Sequence, residues 1–405
     1  FKQKTAYEML RSLVGSEMCI RDSYIRKPVA IIRGEGSHVW DSDGQRYLDF
    51  FPGWGCSLLG HCHPQIVAAI REQAGRLIHM DNTFCIEPQG RLAEVISTRS
   101  FGGKCFFANS GAEANEAAIK LARKATPEGR YKIITMEKSF HGRTFGAMAA
   151  TAQTKIRTGF APMLAGFVHV PFGDVEAVKA AVDDETAAVL VEPIQGEGGV
   201  NVPPDGYLRS LRELCDEHGM LLIFDEVQTG CGRTGRWFDY QHDGAVPDIM
   251  TLAKAVGGGT PLGVTCARPE VAECLTPGSH ASTYGGNPLV TAAGLAMFEV
   301  IERENLLDRA RQIYAYVAEK VEHLKSRFSF VESVRGRGAM IGIVLSIDGS
   351  GIVDAALRRG LRINCTQQTV LRMLPALTIT DEQIDEGFDI LADAMGEVAE
   401  TSASS

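Results

Sequence analysis

The chain has 405 residues, 45% of them hydrophobic and 22% charged, so it can bury a large core and is expected to form more than one domain. Its formal net charge of −9 argues against a nucleic-acid partner, which would require a basic surface. No apolar run approaches the length of a membrane span, and the ten cysteines include no Cys-x-x-Cys pair, so a soluble cytoplasmic protein with reduced thiols is expected.

The two ends of the chain are expected to lie outside the fold. Residues 1–23 have neither the apolar core of a signal peptide nor the acid-poor character of a transit peptide, because Glu8, Glu17 and Asp22 interrupt them. We interpret this segment as a non-native sequence artefact and expect it to be disordered or poorly packed. A polar tail is expected at residues 399–405, without structure from Thr401 onward.

Two histidines flank a cysteine at His61-Cys62-His63, a composition that suggests a metal site. Three adjacent residues cannot easily converge on one ion, and Gly60 and Pro64 mark a turn before a helix. We therefore predict no metal site in this chain.

Apolar strands alternate with helical stretches between Cys105 and Ala267. Strands are predicted at 131–135, 166–171, 187–192, 220–225, 248–252 and 262–267, with a helix at 206–218. This alternation is typical of right-handed crossovers and a mostly parallel sheet covered on both faces, so it predicts an α/β fold with a large domain at residues 71–300. Helices at 288–328 and short strands at 340–346, 361–364 and 370–374, closed by a helix at 381–397, predict a smaller α+β domain at 301–398.

A helix is predicted to begin at Ser110. Glu113 follows three residues later, which is the spacing of a capping box. The unpaired N–H groups and the dipole of a helix start favour a phosphate, and the small residues Gly111 and Ala112 permit close approach. Capping alone explains Ser110 equally well.

The motif Ser139-Phe-His-Gly-Arg-Thr144 follows the strand at 131–135. Phe140 is able to stack on an aromatic ligand, and Arg143 to pair bidentately with a substrate carboxylate. Taken alone, the phenylalanine would more often belong to the core and the arginine to the solvated surface. Because the neighbouring motifs also suggest a ligand site, both residues are candidates for ligand binding.

An aspartate and a lysine follow two successive strands. The apolar run at 220–224 ends in Asp225, which indicates a carboxylate presented at the carboxyl end of a buried parallel strand. A buried aspartate needs a cationic partner, and the protonated ring nitrogen of pyridoxal 5'-phosphate (PLP) is one; Lys254 would then bind this cofactor covalently. If the pair stood alone, a solvated aspartate and a surface lysine would explain it as well.

Two glycine patterns suggest other functions. Gly230-x-Gly232-x-x-Gly235 matches a dinucleotide-binding fingerprint, but Asp243-Gly244 follows too soon for a crossover helix, and the acid required near twenty residues on is missing. Gly336-x-Gly338 precedes a strand instead of opening a helix, and is better interpreted as a tight turn.

Six motifs in this order resemble the class III aminotransferases of PLP fold type I. They are Ser-Gly-Ala-Glu-Ala-Asn-Glu from Ser110, Phe-His-Gly-Arg-Thr from Phe140, Val-Glu-Pro-Ile-Gln-Gly-Glu-Gly-Gly from Val191, Asp-Glu-Val-Gln-Thr-Gly from Asp225, Leu-Ala-Lys-Ala from Leu252 and Ser-Thr-Tyr-Gly-Gly-Asn-Pro from Ser282. The resemblance covers about residues 24–397 and, within the class, is strongest to the acetylornithine aminotransferases. It implies that residues 24–70 join 301–398 in one small domain, and that the protein is a homodimer with shared active sites.

The resemblance also implies roles for individual residues. Lys254 binds the cofactor and moves the proton, Asp225 keeps the ring nitrogen protonated, and Gln228 bonds the phenolic oxygen while Val227 packs beneath the ring. The cofactor-binding set that it implies is Ser110, Gly111, Ala112, Phe140, Asp225, Glu226, Val227, Gln228, Lys254 and Thr283. Thr283 is expected to reach the phosphate of the neighbouring subunit.

Four residues are expected to bind substrate: Arg143, Glu197, Ser282 and Arg372. The resemblance implies that Arg372 binds the α-carboxylate of glutamate, that Glu197 covers Arg372 when the other substrate is present, and that Arg143 takes the distal carboxylate. The alternative for Glu197 is a loop carboxylate without a role in the pocket, and the alternative for Gln228 is an ordinary polar residue at a strand end.

The implied reaction moves the terminal amino group of N2-acetylornithine to 2-oxoglutarate in arginine biosynthesis. Aminotransferases of ornithine, succinylornithine and 4-aminobutyrate share nearly all these motifs, and Pro52-Gly-Trp-Gly-Cys-Ser57 departs from the Ala-Val-Asn-type run expected near the entrance, so the amine donor stays open. An aminomutase, which needs no second keto acid, and a non-catalytic PLP-binding protein, which would carry a DNA-binding extension or lack the lysine, are further alternatives.

Overall fold

The computed structural model describes residues 23–24 and 26–403. The segment interpreted as an artefact therefore lies, except for Ser23, outside the described residues. The polar tail is expected to lack structure from Thr401 onward. This expectation is wrong for residues 401–403, because the last helix spans Asp381–Ala403. Its run of Glu397, Val398, Ala399 and Glu400 contains neither proline nor glycine, so nothing in the sequence ends the helix earlier.

Three β-sheets organise the described part of the chain. The first contains β1 (Ile31–Glu35), β2 (His38–Asp41) and β3 (Arg46–Asp49). The central sheet contains β4 (Lys104–Ala108), β5 (Lys132–Met136), β6 (Phe167–Val170), β7 (Thr186–Val191), β8 (Leu221–Asp225), β9 (Ile249–Leu252) and β10 (Gly263–Ala267). The third contains β11 (Val331–Arg337), β12 (Met340–Leu345), β14 (Asn364–Thr366) and β15 (Val370–Met373).

The central sheet is mostly parallel, as the alternating pattern predicts. Its strand order is β4-β10-β9-β8-β7-β5-β6, and β9, β8, β7, β5 and β6 pair in parallel. β10 is antiparallel to both of its neighbours. The connection from β9 to β10 contains only a short 3-10 helix, Lys254–Gly257, which suits a reversal of direction, whereas a parallel strand would need a longer crossover.

Helices cover the sheets and connect their strands. The longer ones are Pro64–Arg76, Glu87–Arg99, Gly111–Ala125, Tyr207–His218, Pro288–Arg303, Leu306–Arg327, Ser350–Arg358 and Asp381–Ala403. Short helices span Phe145–Ala150, Thr154–Arg157, Val175–Ala180 and Pro269–Ala272, and 3-10 turns span Pro52–Gly55 and Asp239–His242. In the described ranges we find no helix with both the length and the apolar character needed to cross a bilayer.

The strand predicted at 361–364 is divided between two sheets. β13 (Leu361–Arg362) pairs in parallel with β3, whereas β14 pairs with β15. The backbone therefore passes directly from the first sheet to the third, so the N-terminal strands lie beside the C-terminal part of the chain. The exact domain boundaries stay predictions.

The Gly230–Gly235 segment does not form a dinucleotide-binding turn. It forms consecutive turns without opening a helix, with Gly232 and Gly235 at φ of 95° and 86°. Between them, the fully buried Arg233 donates hydrogen bonds to the carbonyl oxygens of Ala339 (3.2 Å) and Pro375 (2.5 Å). The glycines thus allow a turn whose hydrogen bonds join the connection between β8 and β9 to the loops of the C-terminal sheet.

Candidate active site

Asp225 ends the central strand of the main sheet, as the apolar run predicts. Its side chain is 4% exposed, and Oδ2 accepts hydrogen bonds from His141 Nδ1 and Asn115 Nδ2, both at 2.8 Å. The backbone N–H of Val227 donates to Oδ1 at 3.1 Å. These donors fix the direction of a carboxylate that lines a cavity of about 360 Å³.

His141 and Asn115 are residues of the candidate site that sequence reasoning missed. Asn115 also donates to the carbonyl oxygen of His141 at 2.7 Å, and its Oδ1 accepts from Thr251 Oγ1 at 2.8 Å. The sequence held one signal: Asn115 is a buried polar residue on the otherwise apolar inner face of the helix Gly111–Ala125. His141 lies inside a motif that was singled out only for Phe140 and Arg143.

The predicted helix start is present at the same cavity. Ser110 is the N-cap and its Oγ accepts from Glu113 N at 3.2 Å, but the Glu113 carboxylate reaches Asn109 N (2.5 Å), one residue earlier than a capping box requires. A Cβ on Gly111 would come within 3.0 Å of Val227 Cγ1, so glycine is what lets the helix start approach the strand end. The free N–H groups of the first turn face a site suited to an anion.

Lys254 lines the same cavity as Asp225 and has a left-handed backbone conformation, with φ of 50°. For a residue with a long side chain this geometry costs roughly 1–2 kcal/mol and is typical of functional sites. Burial lowers the pKa of its amine; the Glu197 carboxylate opposes this effect and the Arg372 guanidinium adds to it. The shift is in the direction of the neutral, nucleophilic form of the amine.

A buried polar atom of Gln228 is available to a ligand in this cavity. Gln228 Oε1 lines the cavity and has no hydrogen-bond partner among the described residues. Gly196 makes room for this carboxamide, because a Cβ there would approach Oε1 to 2.1 Å. Together with a presented carboxylate, a buried amine and a helix start, this arrangement fits a flat heteroaromatic phosphate such as PLP.

Phe140 and Glu192 form the wall of the cavity beside the ring site. Glu192 Oε2 accepts from the backbone N–H of Phe140 at 3.1 Å, and Oε1 accepts from Gly196 N at 3.2 Å. Burial raises the pKa of the Glu192 carboxyl to about 7, with a further rise from Asp225 and an opposing effect of His141. Glu192 was missed in the sequence, where it is only the polar end of an apolar strand.

A second, larger cavity of about 830 Å³ adjoins the first and is lined by three of the four predicted substrate residues, Arg143, Glu197 and Arg372. Arg372 Nη1 donates to Glu197 Oε1 at 2.8 Å, and Nε donates to Asn364 at 3.0 Å. Arg372 Nη2 is buried without a partner among the described residues. Arg143 lines both cavities and lies 5.9 Å from the Phe140 ring centroid.

Burial acts to raise the pKa of Glu197, but its contact with Arg372 and the fields of Lys254 and Lys155 outweigh this effect, so the pKa lies below its ordinary value. The carboxylate is thus ionised and covers a buried guanidinium. Such a pair avoids an uncompensated charge while no substrate carboxylate is present.

Glu226 is a correction to the predicted cofactor-binding set. Its side chain points away from the cavity into the protein, where it accepts from Thr229 Oγ1 (2.6 Å), Asp239 N and Tyr240 N (both 2.9 Å). Successive side chains at a strand end alternate between faces, so Asp225 and Glu226 cannot both reach the cavity.

Ser282 and Thr283 also lie outside the cavity that contains Lys254. They line a separate cavity with Asn109 and His280, and Ser282 Oγ accepts from Asn109 Nδ2 at 3.2 Å and from Gly285 N at 3.0 Å. Within one chain they do not reach the ring site. Ser110, Gly111, Ala112, Phe140, Val227 and Gln228 all line the Lys254 cavity.

The chain is similar to known proteins along nearly its whole length. A family model for Aminotransferase class-III matches residues 21–395. Acetylornithine aminotransferase from Caldanaerobacter subterraneus is 50% identical over 384 residues, which cover 94% of this chain and 98% of that protein.

Solved structures show the same likeness. N-acetylornithine aminotransferase from Stenotrophomonas maltophilia has a TM-score of 0.82 at 38% identity, covering 93% of this chain and 98% of that chain. Ornithine aminotransferase from Toxoplasma gondii, in a structure with partial occupancy of PLP at its active site, has a TM-score of 0.90 at 33% identity, covering 98% and 99%.

Proposed function

The chain belongs to the class III aminotransferases, and from this premise we propose that it transfers the terminal amino group of N2-acetylornithine to 2-oxoglutarate. The products are N-acetylglutamate 5-semialdehyde and glutamate, and the reaction is a step of arginine biosynthesis. The observation that carries this proposal is 50% identity to an acetylornithine aminotransferase over 94% of the chain, together with the Lys254 and Asp225 side chains facing one cavity.

PLP is the cofactor of this class, and when bound it supplies a carbonyl carbon that combines with the substrate amine and a protonated ring that accepts the electrons of the broken C–H bond. Lys254 would hold the cofactor through Nζ and, once released, move a proton to and from the substrate carbon. Asp225 would hold the proton at the ring nitrogen, and Gln228 would hydrogen-bond the phenolic oxygen. Phe140 and Val227 would pack on the two faces of the ring, and the helix start at Ser110 would bind the phosphate.

Two arginines would distinguish the two substrates. Arg372 has a buried Nη2 without a partner among the described residues, so a substrate carboxylate can bind it bidentately once Glu197 moves away. Arg143 would take the second carboxylate of 2-oxoglutarate or glutamate. With acetylornithine bound, Glu197 would return to Arg372 and keep its charge compensated.

We further propose a homodimer in which Thr283 reaches the phosphate site of the other subunit. Support comes from four large hydrophobic side chains, each at least 58% exposed: Ile78, Phe84, Phe145 and Tyr284. Exposed apolar side chains that form a contiguous patch are typical of a surface that is covered in an assembly. Sedimentation analysis should give twice the chain mass, and mixing Lys254→Ala with Thr283→Ala subunits should produce hybrid dimers in which one of the two sites is intact.

A cytoplasmic location completes the proposal. The described cysteines are all free thiols, which are typical of a reducing compartment. Fractionation of the natural host with an antibody against the chain tests this location.

The amine donor is tested by steady-state kinetics with acetylornithine, ornithine and 4-aminobutyrate, each with and without 2-oxoglutarate. We expect acetylornithine to have the highest kcat/KM and turnover to require the keto acid. Equal kcat/KM values for acetylornithine and ornithine would contradict the proposed amine donor. Turnover without the keto acid would indicate an aminomutase. Lys254→Ala is the control, and it should neither turn over nor show the absorbance of covalently bound cofactor.

A further inference from the structure

Lys155 is a cation at the substrate cavity that forms no ion pair with any other described residue. It lies on the short helix Thr154–Arg157 and lines the 830 Å³ cavity together with Arg143, Glu197 and Arg372. Among residues 23–24 and 26–403 it forms neither an ion pair nor a hydrogen bond, and its side chain is exposed. An exposed lysine can move its ammonium group freely on a flexible stem.

Hydrogen bonds hold the backbone around Glu197 in place without involving its carboxylate. Its carbonyl oxygen accepts from Thr366 Oγ1 and from Gln367 Nε2, both at 2.8 Å. On the other side, Gly196 N donates to the buried Glu192 carboxylate at 3.2 Å. A carboxylate that leaves Arg372 therefore has to find its next partner by side-chain rotation within the same cavity.

The released carboxylate needs a cation. The Glu197 side chain is only 22% exposed, so water compensates its charge incompletely. The proposed function assigns Arg143 to the distal carboxylate of the dicarboxylate and Lys254 to the cofactor. Of the cationic residues that line the cavity in the described part of the chain, Lys155 is left.

We propose that Lys155 is a positioning residue that receives the Glu197 carboxylate when a dicarboxylate substrate displaces it from Arg372. This inference rests on the proposed function. It adds a partner for Glu197 in the open state, in which a substrate carboxylate occupies Arg372. The positive charge of Lys155 already acts on Glu197 in the closed state, where it contributes to the lowered pKa of that carboxyl. Lys155 makes the open state less costly because it compensates the charge of the displaced carboxylate.

The test separates the two half-reactions in the holoenzyme. Lys155→Met keeps the length of the side chain and removes its charge, so kcat/KM for glutamate should fall about three- to five-fold, the range of a partly exposed ion pair. The acetylornithine half-reaction should change less than about two-fold by the same reasoning. Lys155→Arg should restore the glutamate half-reaction. Arg157→Met, which removes a neighbouring cation of the same helix that does not line the cavity, should leave both unchanged.

Two further measurements exclude a general structural effect. Calorimetric titration with glutarate, a dicarboxylate without an amine, should show weaker binding to Lys155→Met by the same factor. In a Glu197→Gln background, Lys155→Met should have no further effect, because no carboxylate remains for it to receive.

Three outcomes would overturn the inference: a loss confined to the acetylornithine half-reaction, unchanged glutamate kinetics, or effects that multiply in the double variant. Wild-type protein that uses neither acetylornithine nor glutamate would instead overturn the proposed function.

Discussion

Nδ1 of His141 lies 2.8 Å from Oδ2 of Asp225, and the two side chains are 2% and 4% exposed. The contact connects the loop after β5 to the end of β8, which are not adjacent strands of the sheet. Because Asn115 approaches the same oxygen from a helix, three separate elements determine where the Asp225 charge points. This fixed orientation gives the cofactor site a defined electrostatic partner instead of a mobile surface carboxylate.

Replacing Asp225 by Asn should damage catalysis far more than cofactor binding. In the proposed function the Asp225 charge holds the proton at the ring nitrogen, so its removal should lower kcat by roughly 10²–10³, as for loss of a preorganised electrostatic group. Single-turnover rates of the cofactor-saturated variant measure this effect. His141→Asn is the control, with a smaller loss because His141 acts through Asp225. A variant that loses cofactor but, when saturated, keeps its rate would contradict the assignment.

Replacing Glu197 by Gln should shift the preference between the substrates. With acetylornithine bound, the buried Arg372 would lose its ionised partner, so kcat/KM for this half-reaction should fall about ten-fold. The glutamate half-reaction should be maintained or faster, because no carboxylate has to be displaced. The matched comparison is Arg372→Met, which should lose roughly 100-fold in kcat/KM for glutamate. Equal losses in both half-reactions of Glu197→Gln would argue against a switch.

Replacing Glu192 by Gln should alter the pH dependence of stability. The pKa of the Glu192 carboxyl rises from 4.5 to about 7 when the protein folds. Its contribution to the free energy of unfolding is therefore fully present below pH 4.5, and roughly 3 kcal/mol of this contribution is lost as the pH rises to 7. The glutamine cannot ionise, so Tm of the variant minus Tm of the wild type should increase between pH 4.5 and 7 and then stay constant. Cofactor-free protein should be used. Exposed Glu176→Gln is the control, and it should give a flat difference.

Replacing Arg337 by Met should destabilise the fold without touching the cofactor cavity. Its Nη1 donates to both carboxylate oxygens of the fully buried Asp239 at 3.1 and 3.0 Å, next to Glu226, whose pKa burial and Asp239 raise to about 8. Loss of the cation leaves an uncompensated buried carboxylate, at a cost of about 3 kcal/mol in the free energy of unfolding.

Urea denaturation measures this cost. Asp239→Asn in the Arg337→Met background should recover part of it, since the unpaired charge is then gone. Exposed Arg236→Met is the surface control. If the second substitution adds to the first loss instead, the buried charge is not the cause.

Local sequence rules determined a large part of this protein. The alternation of apolar strands and helices gave the mostly parallel sheet, because each element depends on the periodicity of a few neighbouring residues. The strand ends and the helix start placed Asp225, Lys254 and Ser110 near one edge of that sheet, since the carboxyl ends of parallel strands lie together. The roles of Arg143, Arg372 and Glu197 came from the resemblance of whole motifs.

Contacts between distant segments decided the rest. The sequence placed Glu226 at the cofactor, but the alternation of side chains after Asp225 turned it into the core beside Asp239. His141, Asn115 and Glu192 became parts of the site only when three elements converged, and only the folded chain brings Lys155 and Glu197 to the same cavity. Burial and electrostatic partners depend on residues far apart in sequence, and so does the ionisation of each group, which is why only the tertiary structure determined them.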